Sequence, residues 1–255
     1  PLEPRWEAKV WNALHERQTL RAATYITHSS PHSLETIKNA YPFLDPKQMR
    51  LVPHMFDRAL YPSRTPCVND KVTLRFLGTL FGQRSPEPLF LALNSLLQRR
   101  PDLCDTIEID LIGPSDRSLK SWKGFSALPE GIVSARAPVA YLVSLELMYD
   151  ADILLVIEAN VVATRFVPSK VTDYMGANTP IVGIVPKGTC QDILARIGCA
   201  TAAPDDIPAI SDALETAIDR VIQGDDVWRD DAPRQSFSLT SGAEVFASLL
   251  RARTA

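Results

Sequence analysis

The sequence predicts an α/β fold, a doubly wound parallel sheet covered by helices on both faces. Three observations predict it. After about Lys71, short apolar runs alternate with helical stretches of ten or more residues, the pattern of β-α-β crossovers. The runs at Ile153 and Ile181 are continuous, as strands buried on both faces must be. The 255 residues are 45% hydrophobic and 22% charged, enough for one large core or two modest ones.

Taken in order, Trp6, Val10, Trp11 and Leu14 fall at helical spacing, so an amphipathic helix is expected to about Arg21. "ATYITHSS" reads as a strand with a polar end. "SPHSLETIKNAYP" opens with a serine cap and a proline at the first helical position. "QMRLVPH" is a second short strand, and the proline-rich segment Leu60 to Asp70 is expected to be a linker. "KVTLRFLG" is a strand, and "SPEPLFLALNSLLQRRP" a helix with Leu89, Leu93, Leu96 and Leu97 on one face. "TIEIDLIG" is an alternating strand, "GIVSA" a short one, and "PVAYLVSLELMYD" a helix. "ADILLVIE" and "TPIVGIV" are buried strands on either side of the helix "PSKVTDYMGAN". "GTCQDILARIG" is a helix and "CATAA" a strand. Ile210, Leu214, Ala217 and Val221 mark one face of a further helix. A last helix, about Gly242 to Arg251, follows an acidic stretch and is placed apart from the main domain. The expected divisions are 1–60, 61–230 and 231–255.

The formal net charge is −3 and the pI about 5.9, which argues against a nucleic-acid partner, since phosphate neutralisation needs surplus Lys and Arg. No window approaches the ~18 apolar residues of a membrane span, and no signal-peptide pattern opens the chain. The chain begins at Pro1 without an initiator methionine, which suggests a trimmed or partial chain. Cys67, Cys104, Cys190 and Cys199 lie far apart with no C-x-x-C pair, so buried free thiols in a reducing compartment are expected. The four histidines, His15, His28, His32 and His54, lack metal spacing. "DDVWRDD" reads as a solvated acidic loop.

In an open parallel sheet, ligands sit beyond the carboxyl ends of the strands. The candidates are therefore Gly78, Thr79, Gly82, Gln83 and Arg84 after the first strand of the regular region. Gly113, Pro114 and Ser115 follow the second, Ala135 and Arg136 the third, and Glu158, Arg165, Ser169, Lys170 and Asp173 the fourth. "GTLFGQR" is either a tight turn or an anion cradle at a helix start; it is neither G-x-G-x-x-G nor a P-loop. Lys170 and Asp173, at i and i+3, share a helix face. They are either an exposed pair worth a few tenths of a kcal/mol or a grip on a pyrophosphate and on vicinal ribose hydroxyls.

From about Arg21 to Val221 these segments, in this order, resemble the retaining GT-B glycosyltransferases of family four. "MRLVPHMFDRALYP" is similar to that family's crossing segment, with His54 where asparagine is usual. "LRFLGTLFGQR" resembles the glycine loop of the donor domain, and "FVPSKVTDYMGANTPIVGI" resembles its P-S-K variant. The resemblance implies a Rossmann-like donor domain with a partial second α/β unit, a remnant of the acceptor domain. It implies transfer from a nucleotide-diphosphate-sugar to a glycan, lipid-linked or other acceptor, with retention, in polysaccharide biosynthesis. Arg84 and Lys170 would act on the leaving diphosphate, and Gly78, Gly82, Gly113, Arg136, Ser169 and Asp173 would complete the donor site. Asp173 replaces the usual ribose-binding glutamate, and Arg165 stands where a first glutamate is expected. No metal or other cofactor is expected, because side-chain cations do that work. A cytoplasmic location, with peripheral membrane contact through a missing N-terminal part of ~100 residues or more, is the corresponding expectation.

Other readings remain open on sequence. An epimerase of the same shape needs catalytic carboxylates and a histidine in the donor domain, and no histidine follows His54. A non-catalytic binding module is compatible with the short front end. A receiver domain needs acids where Gly78 and Thr79 stand.

Overall fold

A computed structural model of the protein describes residues 6–225 and 232–254. Their contacts form two compact units, residues 6–53 with 243–254, and residues 54–242.

The first unit begins with α1 (Trp6–Ala22), β1 (Ile26–His28), α2 (Pro31–Ala40) and β2 (Met49–Leu51). β1 and β2 pair in parallel, Ile26 opposite Met49. Ser30 holds an extended backbone and its Oγ accepts from Ser33 N at 3.2 Å, so the expected cap starts α2 with Pro31 at its first position. The apolar stripe of α1 is present but buries nothing: Trp6 is 72% and Trp11 61% exposed. Helical spacing creates such a stripe; a facing surface is needed to cover it.

The second unit opens with a strap rather than a free linker. Arg58–Leu60 form a single 3-10 turn capped by Asp57, and Tyr61 is buried. Arg64 then grips both oxygens of Asp150 at 2.8 and 2.6 Å, and Cys67 N donates to the same carboxylate. Asn69 donates to Asp152. The prolines of this segment block regular structure, while its polar groups tie it down.

The sheet follows: β3 (Val72–Leu77), α3 (Glu87–Arg99), β4 (Ile107–Ile112), β5 (Val133–Arg136), α4 (Tyr141–Tyr149), β6 (Ile153–Ile157), α5 (Ser169–Ala177), β7 (Ile181–Ile184), α6 (Thr189–Arg196), β8 (Ala200–Ala202) and α7 (Ile207–Ile222). The strand order is β5-β4-β3-β6-β7-β8, every pair parallel. The chain winds outward from β3 to β5, then returns to β6 and winds the other way. The switch point lies between β3 and β6, where an open parallel sheet leaves a crevice.

Burial explains the winding. Along β6, Ile153, Leu155 and Ile157 join one apolar cluster, which includes Leu89, Leu93 and Leu96 of α3 and Ile210, Leu214 and Ile218 of α7. Leu154 and Val156 join the other, with Leu145 of α4, Val171 and Tyr174 of α5 and Leu194 of α6. The period of two therefore sends alternate residues into two cores. Each such Leu or Ile stabilises the fold by roughly 1.5–3 kcal/mol relative to exposure. β4 departs from the expected alternation, since only Glu108 among its six residues is exposed. Both faces are covered, so no polar alternation is needed. On α7, Ala217 and Val221 are only partly buried, beside the fully buried Ile218.

Two further helices follow: the short α8 (Ala232–Gln235) and α9 (Leu239–Thr254), the latter longer than the sequence pattern suggested. Most of "DDVWRDD" lies outside the described residues. The thiols depart from the uniform burial expected: Cys190 is buried, Cys104 and Cys199 are half-buried and Cys67 is exposed, none of them in a disulfide. Among the described residues no helix is long and apolar enough to cross a membrane.

Candidate functional site

The strand ends at the switch point turn through two glycines. Gly78 follows β3 with φ +156° and Gly113 follows β4 with φ +133°. The close approach at Gly113 forbids a side chain: a Cβ there would lie 2.1 Å from Gly78 O. A Cβ on Gly78 would meet Lys170 Nζ at 3.0 Å and the Phe76 ring at 3.2 Å. Gly113 thus makes room for the Gly78 carbonyl, and Gly78 for the Lys170 side chain.

α5 brings that lysine. Its N-cap is Pro168, extended at φ −61° and ψ 131°, with Ser169 and Lys170 as the first helical residues. The sequence placed Pro168 within the first turn; its extended ψ puts it one step outside. A proline side chain accepts no hydrogen bond, so the first-turn amides of α5 have no side-chain cap. That is the end of a helix that favours an anion.

Around this point opens a cavity of about 240 Å³ lined by Gly78, Thr79, Gly113, Ser144, Lys170 and Asp173, with Pro138, Val139 and Met148 among its apolar walls. A smaller cavity of about 120 Å³ shares Gly78 and Gly113 and adds Ser115 and Arg117. A third, of about 40 Å³ beside Cys199 and Arg220, lies at the opposite strand ends and has no cationic cluster.

Lys170 Nζ is shielded from solvent and has no hydrogen-bond partner; the face of Phe76 lies 4.1 Å away. Burial, opposed by Glu158 and aided by Arg84, brings its pKa down to about 7. Arg84 Nη2 donates to both oxygens of Glu158 at 3.0 Å, while Arg84 Nε is buried without a partner. Two cationic groups with unused donors therefore meet at the switch point. Orphan buried donors cost free energy unless a ligand completes them.

Asp173 sits one turn after Lys170. Its Oδ1 accepts from Tyr141 Oη at 3.0 Å. Burial raises its pKa, while the Tyr141 hydrogen bond and the charge of His54 act against that rise. Tyr141 is itself pushed up to about 12 by burial and by Asp173. The helix is braced from behind: Tyr61 Oη donates to Asp173 O at 2.7 Å, Arg58 Nη1 to Gly176 O at 2.7 Å, and Leu77 N to Tyr174 Oη at 2.9 Å.

Of the residues singled out from the sequence, Gly78, Gly113, Lys170 and Asp173 line the cavity, and Arg84 acts on Lys170 beside it. Three are placed otherwise. Gly82 N donates to Asp116 Oδ2 at 3.1 Å, so that amide already holds a carboxylate. Ser169 is exposed and outside the lining. Arg136 pairs with Asp110, which also takes Arg75 Nε at 2.8 Å, so its guanidinium serves the sheet. Sequence reasoning missed Tyr141 and Ser144, which carry no motif, and gave Glu158 no partner. Among the described residues no three His, Cys, Asp or Glu side chains gather as metal ligands would.

No protein-family model matches the sequence, and no curated protein does. Solved structures do resemble it. HepE of Anabaena, solved in complex with UDP, superposes at a TM-score of 0.71 with 14% identity, over 99% of this chain and 70% of its own. The fold is that of the GT-B glycosyltransferases. The pneumococcal O-GlcNAc transferase GtfA, solved with UDP and GlcNAc, gives 0.65 at 14% identity, over 94% of this chain and 47% of its own. A UDP-forming α,α-trehalose-phosphate synthase from Burkholderia xenovorans gives 0.69 at 11% identity, over 97% and 66%. This chain thus spans about half to 70% of these GT-B proteins.

Proposed function

We propose that this chain binds a nucleotide-diphosphate-sugar and serves a retaining glycosyltransferase of the family 4 type, in glycan or polysaccharide synthesis. One observation carries the reading: Lys170 Nζ, at a glycine-lined switch-point cavity beside an uncapped helix start, and Arg84 Nε, on a side chain whose charge acts on Lys170, are both buried and unpartnered. A diphosphate supplies what those donors lack. UDP is the favoured nucleotide because HepE and GtfA were solved with it.

In the proposed reaction the bond between the sugar's anomeric carbon and the β-phosphate oxygen breaks, the acceptor oxygen bonds to that carbon from the same face, and the acceptor's hydroxyl proton passes to the departing phosphate oxygen. Negative charge grows on the departing diphosphate. Fixed positive charge from Lys170, Arg84 and the start of α5 stabilises it, more strongly in a site poor in water. Asp173, held by Tyr141, is assigned to the ribose hydroxyls as their acceptor.

The test is binding by calorimetry. Wild-type protein should bind UDP and UDP-sugars better than uridine. Lys170→Ala should weaken UDP by about 10-fold or more, in line with a charge-assisted hydrogen bond of roughly 1.5–3 kcal/mol, and leave uridine nearly unchanged. Equal losses for both ligands would defeat the diphosphate assignment. Radiolabelled transfer to glycan or lipid-linked acceptors then separates an enzyme from a binding module.

A further inference from the structure

Glu158 directly follows β6 at the switch point, with its side chain only 12% exposed. A carboxylate beside a polyanion site would by itself repel the ligand. Its contacts give it a different use. Both its oxygens accept from Arg84 Nη2 at 3.0 Å, across 74 residues of sequence. Three groups from other elements act on Lys170 Nζ: Arg84 from the loop after β3, Glu158 from just after β6 and Cys190 from α6. Phe76 offers only its ring face, and Asp173 lies on the same helix. Burial pushes the Cys190 thiol up to about 12, so it is uncharged near neutrality. Among the three, Glu158 is therefore the only negative charge set against two cations.

Resting on the donor reading above, we propose that Glu158 is a positioning residue for the diphosphate site. It fixes Arg84 through both carboxylate oxygens and supplies the counter-charge that lets Arg84 and Lys170 share one water-poor crevice. Without it, two like charges in a medium of low dielectric repel strongly, and Lys170 gives up its proton before a donor arrives.

Titrating the protein with ¹³C-labelled lysine, the Lys170 signal being the one lost in Lys170→Arg, reads this without any ligand. Glu158→Gln should move the Lys170 midpoint acid by about one pH unit. Glu158→Asp keeps the charge and should hold the midpoint near wild type, which covers the case of a poorly folding amide variant. UDP affinity at pH 8 should fall on the order of ten-fold in Glu158→Gln, with a smaller loss of about two-fold at pH 6, where Lys170 is mostly protonated in wild type and about half protonated in the variant. An unchanged midpoint overturns the proposal. So does tighter UDP binding by Glu158→Gln, which would mark the acid as a mere occupant of Arg84, or an equal loss at both pH values. A shifted midpoint in a protein that binds no UDP supports the counter-charge and removes the donor reading instead.

Discussion

A lysine whose Nζ is buried without a partner raises the free energy of the folded state whenever it carries its proton. In the unfolded chain Lys170 titrates near 10.5; in the fold it does so near 7. Between those values the unfolded chain binds the extra proton, so this residue makes stability rise with pH from about 7 to 10.5. Lys170→Met should therefore stabilise the protein by a few kcal/mol at pH 6, and the gain should fade by pH 10.5. Urea unfolding at a series of pH values reads it, and a pH-independent difference would show that Nζ is solvated. A residue that weakens its own fold is expected at a binding site, where the ligand restores what the fold gives up.

The elements at the switch point owe their spacing to glycine. Gly113 lies at φ +133° with Gly78 O where its Cβ would go. Gly113→Ala combines a strained backbone with a clash against main chain, and should cost roughly 2–5 kcal/mol. Thermal melts measure that cost. Because Gly78 is the group displaced, UDP binding at a temperature where the variant is folded should weaken as well; unchanged affinity would separate the loop from the site. α5 depends on contacts of another kind. Tyr61, Arg58 and Tyr174 hold its backbone and one of its side chains to the strap and to β3, so Lys170 and Asp173 project from a helix with little freedom to shift.

Across the whole molecule, one polar network crosses the sheet. Arg75 on β3, 7% exposed, and Arg136 on β5 both pair with Asp110 on β4, and Arg75 Nη1 reaches Leu147 O of α4 at 2.6 Å. Burial acts to raise the Asp110 pKa, but Arg136 and Arg75 outweigh it and hold the carboxyl below its ordinary range. Asp110→Ala would strand Arg75 in the core and should cost about 3–5 kcal/mol. Arg136→Ala, at a residue whose side chain is 48% exposed, should cost about 1 kcal/mol or less. Equal costs for the two variants, measured by urea denaturation, would refute a network centred on buried Asp110. The same triad ties together the strands whose carboxyl ends carry Gly78, Gly113 and the loop to Pro138, so the sheet and the cavity share one support.

Periodicity by itself determined the alternation of strands and helices, the winding into a parallel sheet, and the placing of Lys170 and Asp173 on one helix face. These follow from neighbours in the chain: a continuous apolar run such as Ile153–Ile157 reports burial on both sides wherever its partners come from. Tertiary structure alone decided which charges meet. Arg84 and Arg136 both read in the sequence as following a strand, yet one joins Glu158 beside the crevice and the other is the last residue of β5, spent on Asp110. The exposed stripe of α1 and the strapped segment after Leu60 make the same point. Local spacing fixes the direction in which a side chain leaves its element, whereas its partner, its burial and its proton depend on residues tens of positions away.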